Sequence, residues 1–416
     1  MPVSYSSFDK KNCQHKKITD LICFSHLRWD FVYHRPQHLL TRFATKFRVF
    51  YIEDPIFYEG DDKYEVFITK SNVWRVIPML SKRKLRTSIV NRQKFLLNSL
   101  FSIFEIKEYI FWYYNPQALD ISNHFSPLKI IYDCVEEISV QKNFTPQLEK
   151  LEKELLSKSD LVFTSGINLF NSKRKFNNNI HLFPCSLDKE HFSKARFHLV
   201  EPPDQSSIPH PRIGYFGVID ERFDYKLLAE VAKARPHWHF IIIGPVVRID
   251  KSELPQNKNI HYLGGKSYDI LPKYLSRWEV AMIPYKNNLT THFINPAKTP
   301  EYLAGGKPVI STSITDIKKS FGDKKLVTIV NTSFQFINGI EHELHGKNKK
   351  EWLQKVDVFL NTTSWDKTYS NMLHLISGEL ITEKSKFEMP AIQNKNKSLV
   401  LSKQYQTKLT NSLNVL

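Results

Sequence analysis

The chain has 416 residues, 41% of them hydrophobic and 13 of them glycine, and a formal charge of +17 at pH 7. That length suggests two domains, and the composition supports real cores and excludes low-complexity classes. The basic excess favours a polyanionic partner (nucleic acid, anionic lipid headgroups or phosphorylated small molecules) or reflects only a solvated lysine-rich surface.

Residues 1–18 are polar and read as a disordered arm without the apolar segment of a secretory signal. Leu21–Phe24 is a buried-strand candidate, followed by a helix over Pro36–Thr45 and a strand at Arg48–Ile52. Val73–Pro78 reads as a strand, and a long basic helix follows from about Ser88 to Ile106. Tyr109–Tyr113 and Lys129–Tyr132 are further strands. Thr145-Pro146 caps a helix with Leu148, Leu151, Leu155 and Leu156 on one stripe. Leu161–Thr164 and His181–Phe183 close the first series. Residues 197–211, with four prolines and little apolar content, make the best linker, dividing a first domain (19–196) from a second (212–362). Strand–helix alternation then restarts. Strands are expected at Arg212–Gly217, His239–Ile243, Ile260–Leu263, Val280–Ile283, Val309-Ile310 and Leu326–Val330, with helices at Tyr225–Ala234 and Tyr268–Arg277. An amphipathic helix occupies 363–382, and 383–416 is a basic, flexible tail. Alternation on both sides of the linker predicts two α/β domains with doubly wound parallel sheets.

No apolar run approaches the roughly 20 residues that span a bilayer. Cys13, Cys23, Cys134 and Cys185 show no C-x-x-C spacing, which suits a reducing compartment. The expected location is cytoplasmic, with the cluster Lys82-Arg83-Lys84-Leu85-Arg86, Arg92 and Lys94 offering either a docking face for an anionic membrane or a solvated basic surface.

Asn295-Pro296-Ala297-Lys298-Thr299-Pro300-Glu301 precedes a glycine stop, Gly305-Gly306, and a buried strand. Asn295 is placed to cap a helix whose first residue is Pro296, leaving the N–H groups of Ala297 and Lys298 facing a phosphate. Thr299-Pro300 serves equally as cap and first residue of a later helix. One turn in, the Glu301 carboxylate can accept hydrogen bonds from a ribose. Gly214–Gly217 ends a strand, where glycine lets the backbone approach a bound phosphate, before Arg222, which can pair with Asp220 or Asp224. G-x-G-x-x-G is absent, which counts against a nicotinamide enzyme. Between the first strand and helix, Ser25–His38 is dense in polar and aromatic groups, at the sheet edge where such folds bind ligands. Asp133 and Glu136 leave a neighbouring strand at that edge and are the candidate catalytic carboxylates; Glu137 is expected to cap the following turn. No Asp-x-Asp motif is present, and His34, His38 and His292 lack ligand spacing, so no metal is expected.

The Pro-x-Lys-x-x-Glu-Tyr-Leu-Ala-x-Gly-Lys-Pro-Val block resembles the donor-binding helix of GT-B glycosyltransferases, and Trp29…Arg35-Pro36-Gln37 resembles a bacterial subgroup associated with surface polysaccharide assembly. The resemblance covers roughly residues 20–380. It implies two Rossmann-like domains facing across a cleft, and transfer from a UDP-, GDP- or dTDP-sugar to a glycan or lipid-linked acceptor without a metal. Retention of configuration is the expected outcome, with inversion open. Donor contacts are implied for Gly217, Arg222, Gly265, Lys266, Asn295, Ala297, Lys298 and Glu301, and acceptor-side contacts for Trp29, His34, Arg35 and Gln37. Many retaining members carry a second glutamate eight positions before Glu301, where this chain has Phe293. Pro184–Phe192 resembles the interdomain segment, with Cys185-Ser186 replacing Asn-Gly. The helix after Ser364 is expected to cross back onto the first domain. A non-catalytic binding module of the same fold is the alternative. Nucleic-acid binding lacks a helix-turn-helix, zinc or RNP-type signature.

Overall fold

A computed structural model describes residues 18–378 apart from 85–86, 143, 198 and 347–348. The expected arm (all but its last residue), Leu85 and Arg86 of the basic cluster, the end of the 363–382 helix and the basic tail lie outside the described residues.

The first half builds a nine-stranded sheet from β1 (Asp20–Ser25), β2 (Arg48–Glu53), β3 (Ile56–Tyr58), β4 (Lys63–Ile68), β5 (Val73–Ser81), β6 (Tyr109–Tyr113), β7 (Lys129–Cys134), β8 (Leu161–Thr164) and β9 (Ile180–Leu182). Its order is β3-β5-β2-β1-β6-β7-β8-β9, parallel throughout except for β4, which pairs antiparallel with β5. The second half contains β10 (Arg212–Phe216), β11 (His239–Ile243), β12 (Ile260–Gly264), β13 (Val280–Ile283), β14 (Val309–Thr312) and β15 (Thr328–Val330) in the all-parallel order β12-β11-β10-β13-β14-β15. Both orders reverse beside their first strand, β1 or β10, and ligands of open α/β sheets lodge outside the strand C-termini at such a reversal.

Local chemistry explains the helices. Thr145 caps Pro146–Lys158 by accepting from the Leu148 N–H, and Asp224 caps Tyr225–Ala234 by accepting from the Leu227 N–H. Sheet strands such as Phe240-Ile241-Ile242-Ile243 are buried on both faces, as a parallel sheet covered by helices requires. The hairpin partner β4 went unread because it is an edge strand whose exposed positions carry Lys63 and the apolar Phe67 and Ile68, without clean alternation.

From Pro202 on, the expected linker is docked rather than free, with Pro202, Gln205 and Ile208 buried. Gln205 is fully buried there, accepting from Trp278 Nε1 and donating to the Tyr274 carbonyl. The Trp365–Ser377 helix starts at the Ser364 cap and stops at Gly378, whose φ of 65° favours glycine. Its Trp365, Met372, Leu373 and Ile376 join the core of the first sheet with Leu39, Phe43 and Trp112. Arg42 pairs with Asp366, and Lys129 donates to the Ile376 carbonyl. Burying four such side chains at about 1.5–3 kcal/mol each outweighs a lone helix's marginal stability.

Candidate active site

The loop after β1 is held by its own side chains. Gln37 donates to the Trp29 and Val32 carbonyls and accepts from the His34 N–H. Trp29 packs edge-on against Tyr51, its N–H donates to Glu53, and Arg75 bridges Glu53 and Asp30. Trp29, Tyr33, Thr41, Phe67, Ile68 and Arg75 line an open groove of about 480 Å3. One residue on, His34 turns toward the second half. Its pKa is pushed down to about 3 by burial and then by the charges of Lys298 and Arg222, so the imidazole is neutral beside two cations.

Those cations come from the second half. Arg222 sits in the loop after β10, its Nε and Nη2 spent on Asp220. Burial opposes its charge, but the Asp220 hydrogen bonds together with the electrostatic pull of Asp220, Tyr285 and Tyr215 outweigh it, raising its pKa; among the described residues its Nη1 has no partner and remains for a ligand. Lys298 begins the Lys298–Ala304 helix, lies over the Phe216 ring and donates to Glu301 Oε2 at 2.9 Å. An ammonium has three donors, so further contacts remain to it. Burial raises the Glu301 pKa against the pull of Lys298. Thr299 Oγ1, in the same first turn, and Tyr268 Oη are buried polar atoms with no partner among the described residues. At the ends of β10 and β11 the backbones come so close that a Cβ on Gly244 (φ 150°) would lie 1.7 Å from the Gly217 carbonyl oxygen.

An aromatic seam joins the halves beside this site. Tyr33 lies 4.7 Å from Tyr268, Tyr268 stacks on His191 at 4.4 Å, and His38 stacks on Trp365 at 4.6 Å.

No protein-family model matches the chain. Its sequence is similar to TuaH of Bacillus subtilis (strain 168), which carries the name teichuronic acid biosynthesis glycosyltransferase, at 25% identity over 227 residues, 50% of this chain and 56% of that one. The chain thus matches little more than half the length of that curated relative. A sucrose-phosphate synthase from Thermosynechococcus elongatus superposes with a TM-score of 0.66 at 13% identity, covering 86% of this chain and 98% of that one. For an alpha,alpha-trehalose-phosphate synthase (UDP-forming) from Burkholderia vietnamiensis the TM-score is 0.65 at 10% identity, with 87% and 99% covered. Anabaena HepE in complex with UDP and glucose gives 0.61 at 10% identity, with 87% and 100% covered. The fold is GT-B.

Within the GT-B cleft the structure sorts the sequence-derived residues. His34, Arg222, Lys298 and Glu301 come together, with Gly217 at the adjoining strand end. Glu136 is exposed at the end of β7 and accepts from Gln141, while Glu137 caps the next turn and is held by Lys173. Several residues fall elsewhere. Asp133 has no exposed surface, and its carboxylate is taken up by Arg35 at 2.8–3.1 Å, with Arg35 Nη1 also donating to the Phe183 carbonyl. Neither side chain is free to meet a ligand, because a buried charge is held by its partner. Gln37 is likewise buried and committed to the loop. Lys266 turns away to Asp204 and the Tyr274 ring, leaving Gly265 exposed beside Pro245. Asn295 does not cap a helix at Pro296. Its side chain accepts from the Cys185 N–H and donates to Asp316, so the helix starts at Lys298 with Ala297 as an uncapped N-cap. Pro300 is tolerated as its third residue, where no N–H is needed.

Sequence reasoning missed Tyr268, Gly244 and Asp316, and weighed Thr299 only as a helix cap. Of the three missed, Gly244 carried a local signal, as a glycine closing the Phe240–Ile243 strand.

Proposed function

We propose that the chain is a glycosyltransferase: the second half holds a nucleoside diphosphate sugar, the first half presents a glycan or lipid-linked acceptor, and the sugar passes between them without a divalent metal. The observation that carries this reading is the convergence of Arg222, Lys298 and neutral His34 at the strand ends of a GT-B cleft, beside a Thr299 hydroxyl that has no partner among the described residues. When the bond from sugar to diphosphate breaks, negative charge builds on the leaving phosphate. Fixed cations and hydroxyl donors in a water-poor cleft lower that barrier because they need no reorganisation. Glu301 is placed one turn from the diphosphate donors, suiting a ribose hydroxyl.

Glu136 replaces Asp133 as the carboxylate able to act on an acceptor, being the exposed one of the pair. As a base it would take the acceptor hydroxyl proton under inversion; under retention, the expected course, it would orient that hydroxyl. Lys82, Arg83 and Lys84, loosely paired with Glu59 and Asp62 at 3.7–3.8 Å, and the exposed Ile89 and Phe95 form the edge we assign to transient contact with anionic lipid at the cytoplasmic membrane face. Among the described residues, no helix is long and apolar enough to cross a membrane.

UDP is the first probe, because Anabaena HepE was solved with UDP. Calorimetry against UDP, GDP and dTDP, followed by a turnover panel of their sugars with and without EDTA, tests the reading. One diphosphate should bind, and Arg222→Gln or Lys298→Gln should each weaken it about tenfold, the ~1.4 kcal/mol of one charge-assisted contact. Binding without turnover of any sugar would point to a non-catalytic module; failure to bind all three would remove the proposal.

A further inference from the structure

The two halves are tied by a polar seam that uses none of the residues given a substrate role under the proposed function, and that takes up Asn295, expected from sequence to contact the donor. Asp316, after β14, is 2% exposed. Its two carboxylate oxygens lie 3.1 and 3.2 Å from the N–H of Ile167, the first residue of the Ile167–Lys173 helix in the first half. That helix has Gly166 at its N-cap and hence no capping side chain of its own. A carboxylate from the opposite half satisfies it instead. A Cβ on Gly166 would stand 2.6 Å from Asp316 Oδ2 and 3.2 Å from the Phe293 carbonyl oxygen, so a side chain here must push the Asp316 carboxylate off the Ile167 N–H and crowd the opposite backbone. Asn295 Nδ2 donates to Asp316 Oδ2 at 3.1 Å while Asn295 Oδ1 accepts from the Cys185 N–H at 3.0 Å. Asn168 Nδ2 donates to the His292 carbonyl at 2.7 Å.

We infer that Asp316 and Asn295 are positioning residues that fix the donor-side segment leading into Lys298 against the first half. The inference rests on the glycosyltransferase reading. The seam's buried groups are paired only when the halves stand at this separation, and leaving them unpaired is costly. Asn295 lies three residues before Lys298, so the same bonds set where the Lys298–Thr299 turn faces His34. Reacting groups misplaced by about 1 Å lose on the order of a hundredfold in rate. Nucleotide affinity should be nearly indifferent, since the proposed diphosphate contacts come from the second half.

The test uses the full chain, Asp316→Ala from one side of the seam and Gly166→Ala from the other, with Asp316→Asn as the conservative variant. UDP affinity is measured by calorimetry, kcat with whichever nucleotide sugar the wild type turns over fastest, and the radius of gyration by small-angle scattering. UDP affinity should stay within about twofold while kcat falls about tenfold or more in both disruptive variants, with Asp316→Asn, which keeps one acceptor for Ile167, falling between. Equal losses of UDP affinity and kcat, or unchanged kcat in both, would overturn the inference. Should the wild type bind and turn over no nucleotide sugar, the glycosyltransferase reading has failed by itself. Scattering then decides the seam: a larger radius in both variants supports it, and an unchanged radius sinks it.

Discussion

Arg35→Met removes the partner of a carboxylate that has no exposed surface. Three hydrogen bonds from Arg35 to Asp133, at 2.8, 2.9 and 3.1 Å, vanish together and leave the charge uncompensated. Breaking a buried pair from one side costs about 3–5 kcal/mol, whereas replacing both partners with apolar groups removes the desolvation cost as well. With an m-value of about 3 kcal/mol per molar urea, the single variant should lose about 1–1.7 M in its unfolding midpoint. Arg35→Met with Asp133→Leu should recover most of that loss. Tryptophan fluorescence is a suitable probe, since Trp112 is buried in the first sheet's core. The reasoning predicts that Asp133→Asn also lowers the midpoint, and that turnover falls only as the folded fraction falls. An Asp133→Asn protein with the wild-type midpoint and no turnover would refute it, returning Asp133 to the chemistry.

Three further outcomes follow from the geometry. Glu136→Gln should lower kcat by about a hundredfold or more, the usual worth of a positioned acid–base group, while its urea midpoint stays unchanged because the side chain is exposed; a turnover assay beside the melt reads both. His34 titrates at about 3 in the folded chain against an ordinary 6.5, so the unfolded chain binds the extra proton between those values. Stability should therefore fall as pH drops below 6.5, by up to about 1.4 kcal/mol per unit from this group. Urea midpoints at pH 7.5, 5.5 and 4.5 should show a shallower slope in His34→Gln, and an identical slope would contradict the burial of His34. Gly244→Ala forces a Cβ against the Gly217 carbonyl and should destabilise the second half by about 3 kcal/mol or more, seen as a lower melting temperature. An unchanged melt would mean the two strand ends are not in contact.

By itself the sequence determined the layered α/β architecture. Apolar runs such as Ile241-Ile242-Ile243 read as strands covered on both faces, and Thr145-Pro146 announces a helix start because capping acts within three residues. The same locality made Glu137 legible as a cap and brought Arg222 and Lys298 into view, since each adjoins the strand end or helix start that aims it. What only the tertiary structure decided is which polar groups were already spoken for. Asp133 and Arg35 are 98 residues apart, Asp316 and Ile167 are 149 apart, and Lys266 finds Asp204 in the docked part of the expected linker. A local pattern reports how a residue sits on its own element. Whether its charge meets a ligand or a protein partner depends on elements packed against it from distant parts of the chain, and burial makes that pairing binding: a charge shut away from water must be neutralised by whatever group lies nearest.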